Sequence, residues 1–206
     1  PRTMPKIVDH DERRRIIVEA LWRVIARDGA HEVSVRHVAA EAGMPKSSIA
    51  HYVGTMPQLL GLAVDQLVEI NSDYIMTLDL LELSVDNATE VLVTIVPATD
   101  ERRRRSGVWL LLVAQAGTDP EYADVLHRLN TAVAEGLQEL LVGMQKQGLV
   151  HPSRDVDVEA ARLHSLIDGI SIHCMTDPAR RSEEEVRAIF RAEAAALAEP
   201  CSVTVR

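Results

Sequence analysis

Val35-Arg36-His37-Val38-Ala39-Ala40-Glu41-Ala42-Gly43-Met44-Pro45-Lys46-Ser47-Ser48-Ile49-Ala50-His51-Tyr52-Val53 decides the architecture of this 206-residue chain. Ser34, just before it, offers a side-chain oxygen to the free N–H groups of a short helix reaching Ala42. Gly43 permits the left-handed backbone that ends this helix, and a second short helix begins near Pro45. Ala39 is small where the two helices would cross, and Val38 and Ile49 can meet across them as a miniature core. With that core fixed, Lys46, Ser47, Ser48, Ala50 and His51 project outward from the second helix. Short polar donors on such a helix suit the base edges of a major groove, so the stretch reads as a helix-turn-helix.

On either side the apolar residues recur at helical spacing, and no alternating run bounded by turns argues for a strand. The chain is therefore expected to be all-α. Asp9 with Glu12 can cap a first helix whose stripe is Ile16, Ile17, Ala20, Leu21, Val24 and Ile25, stopped by Gly29. Thr55 with Gln58 forms a capping box that opens a long helix through Leu59, Leu60, Ala63, Leu67, Ile70 and Tyr74. Further helices are expected at about 84–96, 100–116, 120–147, 157–175 and 183–198. Pro97, Gly117-Thr118-Asp119-Pro120, Gly148, Pro152 and Asp177-Pro178 punctuate them. The result is a three-helix head, residues 9–54, and a body of about six helices, residues 55–206.

Charge follows the same division. The whole chain carries −9, which argues against coating nucleic acid through bulk electrostatics. Up to Gly54, however, nine Lys/Arg face seven Asp/Glu, and the remainder carries the acidic surplus. The head can approach phosphate while the body stays off it. Cys174 and Cys201 have no CxxC spacing, and no apolar run approaches a membrane span, so a reduced, cytoplasmic protein with no membrane association is expected. Met4 can serve as a start. No GxSxG, Walker, dinucleotide or HExxH pattern occurs, so neither an enzyme nor a cofactor is expected.

The run Ser34-Val35-Arg36-x-Val38-Ala39, followed by Ala42-Gly43-x-x-Lys46-x-Ser48-Ile49-x-His51-Tyr52-Val53 and Leu59-Leu60, resembles the TetR family of bacterial repressors. Trp109-Leu110, Asp119-Pro120-Glu121, Gly148 and Asp168-Gly169 resemble the ligand-binding half of the choline-responsive betaine regulators within it. The resemblance implies a homodimer that reads a palindromic double-stranded operator, and a body that binds an inducer. Two positions depart from the family: the usual recognition-helix tyrosine is Ala50, and the usual phosphate-binding lysine opening helix four is Met56. DNA-backbone contacts are then expected from Tyr52, Thr55, Arg36 or the basic N-terminal arm.

In the body, the last two helices are expected to form the dimer seam, through Leu163, Leu166, Ile167, Gly169 and Ile170 on one and Val186, Ile189 and Phe190 on the other. Tyr74, Met76, Trp109, Met144 and His173 are the candidate effector contacts. With aromatic residues at 3% of the chain, a full aromatic cage for a quaternary ammonium is hard to assemble, and a small, largely apolar effector is expected. Arg102 to Arg105 read either as a solvated cluster or as a joint between body and head. His164 and Asp168 have ligand spacing on one helix face, but no third or fourth ligand converges, so no metal is expected. The alternative to a ligand-responsive repressor is a constitutive architectural DNA-binding protein that needs no effector.

Overall fold

The structure is a computed structural model that describes residues 10–29, 32–76 and 83–200. The expected cap Asp9, the basic arm with Met4, and Cys201 lie outside these residues. Among the described residues the chain is all-helical, with nine α-helices: α1 His10–Asp28, α2 Val35–Glu41, α3 Lys46–Ile49, α4 Met56–Met76, α5 Val85–Ile95, α6 Asp100–Ala116, α7 Pro120–Lys146, α8 Val156–Thr176 and α9 Glu183–Ala196. A 3-10 turn, Pro178–Arg180, leads into α9. No described helix is long and apolar enough to cross a membrane.

Two compact units are built from these helices. The first contains the chain up to Leu67 together with residues 107–126. Its core is the α1 stripe Ile17, Val18, Ala20, Leu21, Val24 and Ile25, with Val38, Ile49, Val53, Leu59, Leu60, Ala63, Val64, Val108 and Leu112 also buried. Gly29, at φ +85°, ends α1 with its N–H on the Ile25 carbonyl at 3.0 Å. Gly107 lets α6 approach α1 closely, since a Cβ there would lie 2.5 Å from Ile25 Cγ2.

The second unit contains residues 68–106 and 127–206. Leu92, Leu137, Leu141, Met144, Leu163, Ile167, Cys174, Val186 and Phe190 fill its interior. Caps fix where its helices begin. Ser84 accepts from Asn87 N–H at 3.1 Å, Asp155 accepts from the N–H groups of Asp157 and Val158, and Ser182 with Glu185 forms a reciprocal capping box. Arg187 holds α9 to α5 by a two-pronged pairing with Glu90, at 2.7 and 3.1 Å. Burial alone would push the Glu159 carboxyl upward, but Arg162 and Arg154, each bonded to it, outweigh that and hold it below the usual carboxylate range. Arg154 also donates to the carbonyls of Ala196 and Glu199, both at 2.8 Å, satisfying acceptors that the end of α9 leaves open.

Candidate nucleic-acid interface

The helix pair is assembled as its side-chain sizes dictate. Ser34 accepts from His37 N–H at 3.2 Å and starts α2. At the other end Gly43, at φ +64°, donates to Ala40, and Met44 N–H reaches back to the Ala39 carbonyl at 2.9 Å. This is a Schellman closure, with Met44 buried as its apolar plug. Val38 and Ile49 have no exposed surface, and Ala39 is buried beside them.

Over that core the candidate DNA contacts lie outward. Arg36, Lys46, Ser47, Ala50, His51 and Thr55 are exposed, while Ser48 and Tyr52 are half-buried. α3 has a single helical turn, after which Tyr52 and Val53 N–H groups both bond the Ile49 carbonyl, at 2.9 and 3.0 Å. Gln58 accepts from the N–H groups of Gly54 and Thr55, and the Thr55 hydroxyl accepts from Gln58 N–H. Accepting leaves that hydroxyl's proton available for a phosphate oxygen.

Behind the pair lies a clamp that the sequence expectations lack. Arg23 and Arg27 on α1 grip the two oxygens of Glu41 at the end of α2, at 2.8 and 2.7 Å. The bonds from Arg27 and then Arg23 hold the Glu41 carboxyl below its usual range. They also offset the unfavourable placing of an anion at a helix C-terminus. Arginines at i and i+4 on α1 were the available signal, but Glu41 is remote in sequence.

In the body the candidate residues separate. Met144 is enclosed in the core of its unit, whereas Tyr74 is 42% and Met76 83% exposed, and His173 is exposed too. At this exposure Met76 has no enclosing wall among the described residues. Trp109 belongs to the first unit and is half-buried. Arg102 and Arg103 pair with the carboxylates of Glu183 and Asp100 and also donate to the Val93 and Ala98 carbonyls, at 3.0 and 3.1 Å, at and beyond the last turn of α5. Arg105 pairs with Glu101, and Arg104 is exposed. Burial raises the Asp168 carboxyl, and His164 partly opposes that.

The seam residues need a correction of face. Leu163, Ile167, Ile170, Val186 and Phe190 are buried in their own chain's core. Side chains at most 5% exposed have almost no surface to offer a partner. Leu166 and Ile189 are half-buried, and Gly169 is exposed with open space beside it.

A sequence profile described as "Bacterial regulatory proteins, tetR family" matches residues 17–61, and one described as "BetI-type transcriptional repressor, C-terminal" matches residues 85–199. The chain is 32% identical over 188 residues to the HTH-type transcriptional regulator PksA of Bacillus subtilis (strain 168), covering 91% of this chain and 90% of that one. The chain belongs to the TetR family. A TetR-family regulator structure from Rhodococcus sp. shares its fold, with TM-score 0.80 and 22% identity over 92% of this chain and 100% of that one. A transcriptional regulator from Saccharomonospora viridis, solved in complex with choline, matches with TM-score 0.73 and 25% identity over 89% and 95% of the two chains.

This protein is accordingly a transcriptional regulator of repressor type with a BetI-type body, and not an enzyme. Within its TetR-type head, Ala50 is exposed and Met56 half-buried. Neither side chain can donate a hydrogen bond to phosphate, whereas those of Tyr52, Thr55 and Arg36 can.

Proposed function

We propose that the protein is a cytoplasmic, ligand-responsive repressor that binds a palindromic operator as a homodimer. The exposed Lys46, Ser47 and His51 over the closed Val38–Ile49 core carry the DNA-reading part of this proposal. Lys46→Ala and His51→Ala are each expected to lose about 1–3 kcal/mol of operator binding while changing binding to unrelated duplex far less. Gel shift with the region upstream of its own gene measures this. Parental affinity in both variants would remove the base-reading role.

For the dimer, the faces of α8 and α9 turned away from the core favour a close seam. Val158, Ala161, Ser165, Gly169 and Ile172 are exposed on α8, and Ala188, Ala192 and Ala195 on α9. Small residues let helix backbones approach, and Leu166 and Ile189 flank these faces. Ser165→Arg is expected to convert the dimer to monomer at micromolar concentration without unfolding it, since position 165 lies outside the core. Analytical ultracentrifugation with circular dichroism tests this, and a parent chain that sediments as a monomer contradicts the seam.

The effector proposed is small and largely apolar, bound in the body. Tyr74, Trp109, Met144 and His173 are kept as candidates for substitution. The choline-bound relative favours a second reading, a quaternary ammonium. Phe190 is sealed in the core and Trp22 and Tyr52 sit in the head, so any cation–π partner would be one of Tyr74, Trp109 and Tyr122. A thermal-shift series of choline, fatty acyl compounds and aromatic drugs, followed by operator release, separates the two. Operator binding that no compound relieves would favour a constitutive architectural role.

A further inference from the structure

We propose that His10, the first residue of α1, is a positioning residue for DNA binding: its ring holds Tyr52 ready for contact with a backbone phosphate. The proposal rests on reading residues 35–53 as the DNA-binding helix pair. Forty-two positions apart in sequence, the His10 and Tyr52 rings stand with centroids 5.8 Å apart and planes tilted by 52°, within the range of favourable ring pairs.

The backbone at Tyr52 is already fixed. Its N–H bonds the Ile49 carbonyl, and Ile49 and Val53 on either side are anchored in the core. What remains free is the side chain, and a phenol at the surface samples several rotamers. A hydroxyl that must donate to one phosphate oxygen loses that freedom on binding, and a partner ring that restricts it beforehand lowers the cost. His10 is exposed and Tyr52 half-buried, so their contact hides little apolar surface and contributes little to folding. The pairing has most value where Tyr52 must be aimed. Ala50 and Met56 supply no donor of their own, which places more of the backbone anchoring on Tyr52.

The test is fluorescence anisotropy of the full chain with its operator and with an unrelated duplex of equal length. His10→Ala is expected to weaken binding to both DNAs roughly three- to tenfold, with an unchanged melting temperature. His10→Phe, which keeps a ring, restores most of that loss. Tyr52→Phe, which removes only the hydroxyl, also weakens both DNAs, and adding His10→Ala in that background costs nothing more. Parental affinity in His10→Ala overturns the proposal. So does the same loss in the Tyr52→Phe background, a loss confined to the operator, or failure of His10→Phe to restore binding. If the parent binds operator and unrelated duplex equally, the reading of residues 35–53 fails and takes this proposal with it. A discriminating parent with a silent His10→Ala overturns the His10 role alone.

Discussion

Glu159→Ala is expected to cost about 3–5 kcal/mol of folding stability, read as a lower urea midpoint with an unchanged slope. Glu159 is 5% exposed, and its carboxylate lies between Arg154, at 2.6 Å, and Arg162, at 2.7 Å. Removing it leaves the Arg154 guanidinium, itself only 13% exposed, without its counter-charge. Arg154 would still reach the Ala196 and Glu199 carbonyls, but an unpaired buried cation is the costlier state. The same group sets an acid limit. Its folded-state pKa is depressed below the ordinary 4.5, so its contribution is fully present above that value and fades as pH falls through the lower, folded one. Stability should therefore decline below about pH 4.5 at up to about 1.4 kcal/mol per pH unit for each such carboxylate. Glu159→Gln should flatten that decline by one group's share, with Glu41 and Glu90, also depressed, accounting for part of the rest. A variant whose urea midpoint and acid profile match the parent's would contradict the assignment.

Helix boundaries were legible because local chemistry sets them. The Thr55/Gln58 box, the positive-φ glycines 29, 43 and 148, and the prolines between helices each act within a few residues. The expected helices at 100–116 and 120–147 appear as Asp100–Ala116 and Pro120–Lys146. Destinations were less legible. An apolar stripe announces that a helix face will be covered, without naming what covers it. The stripe of Leu163, Ile167 and Ile170 reads equally well as a seam or as a core, and the intrachain core takes it. Long-range ion pairs were invisible for a related reason: Arg187 meets Glu90 across 97 positions, and charge pattern alone cannot choose among 31 acidic residues. The helix-turn-helix escaped this problem because its partners, Val38 and Ile49, are near each other in sequence.

Gly107→Val is expected to cost about 3 kcal/mol and to weaken operator binding as well. A Cβ at 107 would meet Ile25 Cγ2 at 2.5 Å, inside the closest approach that two carbons tolerate. Ile25 is 7% exposed and branched at Cβ, so it has neither space nor rotamers to move aside. Relief must come from shifting α1 or α6. α1 carries Arg23 and Arg27, whose grip on Glu41 ties it to α2, so a displaced α1 pulls on the helix pair and operator affinity falls with stability. Gly107→Ala gives the sharper measurement. Alanine improves helix propensity by about 1 kcal/mol, but with Ile25 present the clash is expected to outweigh that gain. In an Ile25→Ala background the clash is gone, and Gly107→Ala should become stabilising. The change of sign between backgrounds isolates the contact from every other effect of the substitution. If Gly107→Ala stabilises equally in both, α6 does not press on Ile25 as closely as the packing of this unit requires.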